Sequence, residues 1–140
     1  MGIHHFKEIN DRFRHAFGDF VLKSLAELLI TTIRGYDLLA RYGGEKFVFL
    51  VREEREVAVG ELAYRICDEI RNRVCEHAGI RVQITVSIGY HWWSGLDRNT
   101  RAEDLLRLAD DNLYVAKGRG GDHVVPDKHD LIANAKNKPS

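Results

Sequence analysis

A short glycine-rich stretch, residues 41–47, carries residue types that could hold a phosphate group. Gly43 and Gly44 stand there between two apolar runs, followed directly by Glu45 and Lys46. A Gly-Gly pair supplies the positive φ values of a two-residue hairpin turn and leaves no side chain between a ligand and the backbone. The stretch predicts a hairpin tip that cradles a phosphate; the alternative is an ordinary hairpin with a solvated Glu-Lys end.

Two other groups of residues could do chemistry, but their patterns are weaker. His4, His5 and His15 could form a metal cluster, yet no further ligand pattern accompanies them, which favours exposed helix positions. Trp92 and Trp93 could form an interaction patch or cover a sheet edge. The sequence leaves both roles of the tryptophans open.

The composition limits the kind of protein that this chain can be. Its 140 residues suffice for one domain with a real core, and 21 basic residues balance 21 acidic ones. Zero net charge argues against a general binder of nucleic-acid polymers or of membrane surfaces, so any anion site must be local. No apolar run approaches the roughly 20 residues of a membrane span, and no signal-peptide core begins the chain. We therefore expect a soluble, cytoplasmic protein.

The two cysteines, Cys67 and Cys75, fall in what reads as one helical pattern. Eight residues of helix correspond to about 12 Å of axial rise, which is too far for a disulfide bond. The pattern therefore predicts two reduced thiols.

Hydrophobic periodicity predicts four helices and four strands around these residues. Gly18 breaks the first helical pattern, and Asp19 is placed to cap the next helix. The predicted helices cover residues 5–15, 19–33, about 56–79 and 102–117, and the predicted strands cover 38–42, 45–51, 80–88 and 123–125.

The order of these elements predicts an α/β (α+β) fold, with a mixed central β-sheet flanked by helices. We interpret residues 1–4 as the end of a clipped first strand, and we predict marginal stability or repair by dimerisation. Residues 1–125 form the predicted domain. Residues 126–140 are polar and predict a flexible tail.

Six short motifs resemble, in order and in spacing, those of the GGDEF domain, the diguanylate cyclase family. They lie at residues 5–11, 18–19, 34–37, 41–47, 85–89 and 109–117, so the resemblance covers about residues 2–125. It implies a nucleotidyl-cyclase-like fold that acts as a homodimer, in which two facing domains condense two GTP to cyclic di-GMP and pyrophosphate. Mg²⁺ would neutralise the triphosphate. Family domains normally begin earlier in the chain, and sensor or effector domains accompany them in a longer parent protein.

The resemblance also implies a GTP half-site built from six residues. Asn10 and Asp19 would read the guanine edge, and Gly43 and Gly44 would let the backbone approach the phosphates. Glu45 would bind metal and activate the hydroxyl, and Lys117 would contact the triphosphate. Without the motifs, Asn10 would be a solvated helix residue, Asp19 a helix cap, and Lys117 a helix-end lysine favoured by the dipole.

Three departures from the family pattern bear on catalysis. Gly2 replaces the first metal-binding aspartate, Lys46 replaces a signature glutamate, and Arg119 is displaced from the usual arginine position. Mg²⁺ prefers several hard oxygen ligands, and only Glu45 remains among the matched side chains. At ~5 Å and an effective dielectric of about 20, one reversed charge pair changes the interaction by roughly 6 kcal/mol before screening. We therefore predict weak or absent cyclase activity.

By contrast, an Arg-x-x-Asp pattern stands where the family places its product-binding inhibitory site. Arg34 could pair with a phosphate or with guanine O6 and N7, and Asp37 with the guanine N1 and N2 donors. Arg65 matches a secondary arginine of that site. The alternative is that Arg34 and Asp37 only close a helix end.

These residues support three hypotheses about function. The first is a degenerate GGDEF domain that binds cyclic di-GMP at Arg34 and Asp37, and GTP at the hairpin. The second is an active diguanylate cyclase with Mg²⁺ at Glu45. The third is a dimerisation or interaction module that binds no nucleotide.

Overall fold

The computed structural model describes residues 1–126 and Lys136, so most of the predicted tail lies outside the described residues. The described residues form three helices and seven strands, an α+β arrangement. The elements, in chain order, are β1 Gly2–Ile3, α1 Phe6–Thr32, β2 Leu38–Arg41, β3 Phe47–Leu50, α2 Glu56–Arg71, β4 Val74–His77, β5 Ile80–Gln83, β6 Val86–Gly89, α3 Ala102–Gly118 and β7 Val124–Val125.

The short strand β1 lies at the centre of the main sheet. On one side it runs antiparallel to β6, with Gly2 opposite Ser87. On the other side Gly2 forms an antiparallel bridge with Lys46, and the Phe47 amide donates to the Met1 carbonyl at 2.9 Å. β2 pairs antiparallel with β3, and β7 pairs parallel with β6. The resulting order β2-β3-β1-β6-β7 confirms the predicted mixed sheet.

Helices cover both faces of this sheet. α1 and α2 share one apolar core with Ile3, Val86 and Ile88. Side chains alternate across a strand, so Gly2, Ser87 and Gly89 face the opposite side. There α3 packs against β6 so closely that a Cβ at Gly89 would lie 2.0 Å from the Leu113 backbone nitrogen. Only glycine allows this approach.

The break in the first helical region lies at Arg14, not at the predicted Gly18–Asp19. Arg14 has φ 70° and ψ 163°, whereas Gly18 is buried inside the helical segment and Asp19 is an exposed helix residue that caps nothing. Asn10 explains the shift, because its amide fills the space where a Gly18 side chain would be. On a straight helix residues 10 and 18 would stand about 12 Å apart along the axis, so their contact requires a break between them.

The long helix predicted to end near residue 79 was too long. α2 ends at Arg71, and β4 and β5 form a separate hairpin around Ala78 and Gly79, which have φ values of 52° and 79°. The apolar spacing of four residues continues through Val74 into β4, so periodicity did not mark the helix end. The predicted strand 80–88 is likewise divided, because β5 pairs with β4 and β6 pairs in the main sheet.

Cys75 consequently lies on β4 and not on the helix that carries Cys67. Both thiols are free and buried, which confirms the predicted absence of a bond between them. Burial raises the pKa of Cys67 to about 12 and also raises the pKa of Cys75. Neither residue is a reactive thiolate.

None of the helices within residues 1–126 is both long enough and apolar enough to cross a membrane.

Candidate functional site

The glycine-rich stretch forms the loop between β2 and β3. The loop spans residues 42–46, so the predicted two-residue turn was wrong, and only Gly43 has a positive φ, at 72°. The Tyr42 amide donates to the Lys46 carbonyl at 2.7 Å, and Arg41 Nε donates to the Gly44 carbonyl at 2.9 Å. No atom lies within 4 Å of a Cβ placed at either glycine. The backbone of the tip is therefore open to a ligand.

Beneath this tip, two lysines converge on the start of β1. A Cβ at Gly2 would lie 2.8 Å from Lys117 Cε and 2.9 Å from Lys117 Nζ, so the ammonium occupies the space of the missing side chain. Lys46, opposite Gly2, forms an ion pair with Asp110, with 3.1 Å between Nζ and Oδ1. The pocket thus contains two ammonium groups and one carboxylate.

Asp110 was missed by sequence reasoning, although a signal was available. It precedes Lys117 by two helical turns, which places both residues on the same face of α3.

The residues of this pocket do not fit Mg²⁺. The ion takes hard oxygen ligands in an octahedron. Gly2 offers none, Lys46 is itself a cation, and the Asp110 carboxylate is already paired with Lys46. Within the described part of the chain, no three His, Cys, Asp or Glu side chains are grouped so that they could hold a metal ion. Glu45 stands as the one matched carboxylate.

The surroundings of the N-terminal amine lower its pKa. The Met1 ammonium is buried and donates to the Phe47 carbonyl at 2.9 Å. Burial, followed by the positive charge of Lys117, lowers the pKa of this amine from 8.0 to about 5. The charged form of this amine is thus disfavoured first by burial and second by the Lys117 charge.

The three histidines considered as metal ligands are separated by their contacts. His4 is half-buried, against the expectation of an exposed position, and its Nε2 lies 2.7 Å from Ser87 Oγ. Burial lowers the pKa of His4. His5 Nδ1 lies 3.0 Å from Glu8 Oε1, and His15 is exposed. They form no joint site.

The predicted guanine-reading residues lie at the break in α1. Asn10 packs on Gly18, and Asp19 follows directly, exposed to solvent. The Asn10 Oδ1 atom is buried without a hydrogen-bond partner among the described residues. An unpaired buried acceptor is costly, and a donor such as the N1 or N2 group of a guanine would satisfy it.

Arg34 and Asp37 lie in the turn between α1 and β2. The Asp37 carboxylate accepts hydrogen bonds from the backbone amides of Arg34, at 3.0 Å, and of Arg52, at 3.2 Å. Arg34 pairs with Glu53 at 3.2 Å and donates to the Tyr36 hydroxyl at 2.8 Å. The structure brings the two predicted residues together, but both are engaged by the turn itself.

Four further residues, of which Glu53 contacts this turn directly, were considered or missed in the sequence. Glu53, the acidic partner of Arg34, was not singled out in the sequence; its only signal was the charged run of residues 52–56. Arg65 is exposed on α2 and makes no hydrogen bond or ion pair with any residue that the structure describes. Trp92 donates from Nε1 to the Glu53 carbonyl at 3.2 Å, whereas Trp93 is exposed.

An apolar slot of about 760 Å³ opens beside the start of β1. It runs between β3 and the residues that continue β6, with Met1 at its end. α2 and α3 contribute Ile66 and Leu113 from the two faces.

The match to a known family follows from these motifs and this fold. Residues 1–123 match the family described as diguanylate cyclase, GGDEF domain. The chain belongs to the GGDEF family. Its hairpin tip is the family signature in the form Gly-Gly-Glu-Lys-Phe. The predicted family is confirmed.

Curated relatives of this GGDEF domain include two bacterial signalling proteins. Diguanylate cyclase A of Treponema denticola is 33% identical over 131 residues, which cover 94% of this chain and 35% of that protein. The response regulator PleD of Caulobacter vibrioides is 37% identical over 131 residues, which cover 89% of this chain and 28% of that protein. The chain thus spans about a third of the length of these relatives.

Solved structures agree with the fold of the GGDEF domain. The GGDEF domain of DgcB from Caulobacter crescentus, in complex with c-di-GMP, superposes with a TM-score of 0.79 at 28% identity. The match covers 88% of this chain and 72% of that one. The predicted α+β cyclase-like fold is thereby confirmed.

Proposed function

We propose that this GGDEF domain serves cyclic di-GMP signalling as a ligand-binding domain with weak or no cyclase activity. It binds cyclic di-GMP at Arg34 and Asp37, and GTP at the hairpin half-site. The domain acts in the cytoplasm as a homodimer within a longer protein, where occupancy of its sites is passed to sensor or effector domains.

The observation that carries the loss of activity is the position of the Lys117 ammonium. It lies where the side chain of a metal-binding aspartate would begin, because residue 2 is glycine. Lys46 adds a second positive charge opposite Gly2. Cyclase chemistry needs a cation that neutralises the triphosphate and organises the attacking hydroxyl, and this pocket repels one.

Ligand binding at the Arg34 turn is supported by groups that remain available there. The Arg34 side chain is 56% exposed, so its guanidinium is within reach of a phosphate, which can replace the carboxylate of Glu53, a partner that is itself only 19% exposed. Asp37 uses one lone pair of each carboxylate oxygen for the two backbone amides. A carboxylate has about four such sites, so two remain for the N1 and N2 donors of a guanine. The DgcB structure, in complex with c-di-GMP, supports the choice of ligand.

GTP at the half-site would be held at both ends. Asn10 and Asp19 accept from the guanine, and the Asn10 oxygen gains the partner that it lacks. Gly43 and Gly44 leave the backbone open for the phosphates, and Lys117 supplies a positive charge. Binding by these groups does not require the reaction to proceed.

Calorimetric titration with cyclic di-GMP tests the main proposal. Arg34→Ala removes charge-assisted hydrogen bonds, each worth about 1.5–3 kcal/mol, so affinity should fall roughly 10- to 100-fold. Arg81→Ala is the matched control, because Arg81 is an exposed arginine in the β4–β5 hairpin with a surface partner, Glu76. Unchanged binding by Arg34→Ala, or no binding by the parent chain, would reject the site.

An active cyclase is the second candidate, favoured by the presence of Glu45 and of every matched nucleotide-binding residue. Incubation with GTP and Mg²⁺, followed by chromatography for cyclic di-GMP, separates the two. We expect no turnover, or traces only, even at high protein concentration. Sustained turnover would make the protein an enzyme, whereas flat thermal shifts with GTP and cyclic di-GMP would favour a nucleotide-free interaction module.

A further inference from the structure

Two ammonium groups stand where a divalent cation would have to bind in this domain. Gly2 and Lys46 lie directly opposite each other, and residues paired in this way place their side chains on the same face of a sheet. The Lys117 ammonium reaches that face, 2.9 Å from the position of a Cβ at Gly2. The three positions therefore lie together on this face, and Lys46 is the last residue of the glycine loop.

The charges of this pocket suit an anion. Lys46 and Lys117 carry two positive charges, the same as one Mg²⁺ ion. The carboxylate of Asp110 offsets one of them, but the exposures of the Lys46 and Asp110 side chains are 37% and 51%. Such a pair contributes little to stability and can be exchanged for a more highly charged partner. A triphosphate is such a partner.

We infer that the hairpin half-site binds the triphosphate of GTP without a divalent cation, with Lys46 and Lys117 as the counter-charges. The inference rests on the proposed placement of GTP at the hairpin. Lysine binds phosphate as a point charge on a flexible stem, so it does not need the octahedral geometry of Mg²⁺. Added Mg²⁺ competes with the two lysines for the same phosphate oxygens.

Compared with the family pattern, this pocket has lost carboxylates that bind metal and has ammonium groups in their place. The absence of a side chain at Gly2 leaves a space in this pocket. Here the Lys117 side chain fills that space. The second departure, Lys in place of Glu at position 46, also makes the charge of the pocket more positive. Both changes move the pocket from cation binding to anion binding.

The test is a pair of calorimetric titrations of the 140-residue chain with GTP, one in EDTA and one in excess Mg²⁺. The affinity in EDTA should equal or exceed that in Mg²⁺. In EDTA, Lys46→Gln should weaken GTP binding about tenfold, because it removes one charge-assisted contact. Lys23→Gln, an exposed lysine on α1, is the matched control and should leave the affinity unchanged.

A double variant, Gly2→Asp with Lys46→Glu, should reverse the metal dependence. A Cβ at Gly2 would be too close only to the far end of the Lys117 side chain, which is flexible and can move aside, whereas Leu113 Cδ2 at 3.7 Å is an ordinary contact. GTP binding by this variant should be at least tenfold tighter in Mg²⁺ than in EDTA. Thermal unfolding checks that it folds; if it does not, the Lys46→Gln titration in EDTA decides alone.

The outcomes separate this inference from the proposed function. GTP bound only in Mg²⁺ would overturn the inference and leave the proposed function intact. Binding in EDTA that Lys46→Gln does not weaken would overturn the role of the lysines. No GTP binding in either buffer would remove both the inference and the GTP half of the proposal, while cyclic di-GMP binding at Arg34 is measured independently.

Discussion

The Arg34–Asp37 turn and the pocket around Gly2 lie in the same domain, yet they differ in how much of the chain each one needs. The two proposed ligand residues of the turn stand three positions apart on one segment, although Arg52 and Glu53, which follow β3, also contact them. The Gly2 pocket needs β1, β3 and α3 at once, because its charges come from three elements. The proposed ligand groups of the turn come from one segment, whereas a change in any one of three elements alters the charge of the pocket.

The comparison also shows what each region does with its charges. At the turn, Arg34 is paired with Glu53 and Asp37 with backbone amides, so both signs are balanced. In the pocket, two lysines face one aspartate, and the excess is positive. Balanced, exchangeable pairs suit a ligand with both donors and phosphates, whereas a positive excess suits the triphosphate alone.

Gly89→Val should have the largest effect, because it damages the composite pocket through α3. Its Cβ would meet the backbone of Leu113 and Ala109 at 2.0 Å and 2.4 Å, so α3, which carries Asp110 and Lys117, must move. We expect destabilisation of more than about 3 kcal/mol in urea unfolding. Gly118→Ala, with no atom within 4 Å, is the control. A Gly89→Val protein of unchanged stability would contradict the packing of α3 on β6.

Asp37→Ala tests whether the turn is structural as well as functional. Loss of an acceptor for two backbone amides should cost about 1–2 kcal/mol of stability, in addition to the loss of cyclic di-GMP binding. Arg34→Ala should lose binding with a smaller loss of stability than Asp37→Ala, since the Arg34 side chain is 56% exposed although its partner Glu53 is only 19% exposed. Urea unfolding of the two variants provides the measurement. Equal stabilities would show that Asp37 does not hold the turn.

The two glycines of the hairpin should separate backbone strain from ligand access. Gly43→Ala forces a side chain into φ 72° and should cost about 1 kcal/mol of folding stability. Gly44→Ala has open space and no positive φ, so its stability should stay unchanged while GTP affinity falls. Thermal unfolding and GTP titration of both variants decide. Equal GTP affinity for Gly44→Ala and the parent chain would place the phosphates elsewhere.

The smallest expected effect is a pH dependence from His4, on the pocket side of the molecule. Burial, followed by the charge of His5, lowers the pKa of His4 below its usual 6.5. The unfolded chain therefore binds the proton more readily, and stability should fall as the pH drops below about 6.5. His4→Gln should flatten this part of the pH profile of unfolding. A profile that is identical in the two proteins would show that His4 titrates normally.

The sequence predicted the family and the mixed sheet because the motifs and the hydrophobic periods depend on residue types at fixed spacing. It failed where two physical signals conflicted. Val74 continues the helical spacing of α2, so the spacing gave no sign that the helix ends before β4. Gly18 was interpreted as a helix breaker, but the Asn10 amide packs against it in the space that a side chain would occupy. A glycine gives the same signal whether it frees the backbone or makes room for a neighbour.

The site was predictable in its list of residues and not in its contacts. Lys46 and Gly2 were recognised as departures from the family pattern, but the position of the Lys117 ammonium requires the packing of α3 on β1. The sequence places Asp110 on the Lys117 face of α3 and Glu53 in a charged run, but it does not show which residues they pair with, because ion pairs between distant segments leave no local pattern. Sequence reasoning finds which charges changed, and only the fold shows which charges meet.

The apolar slot has a consequence for how the domain opens. Among the described residues, the backbone hydrogen bonds that join the β2–β3 hairpin to the rest of the main sheet all run to residues 1–3. A unit attached by so few bonds can open without global unfolding. Amide protons of β3 should therefore exchange with deuterium sooner than those of β6. The hairpin would open as one unit together with the glycine loop.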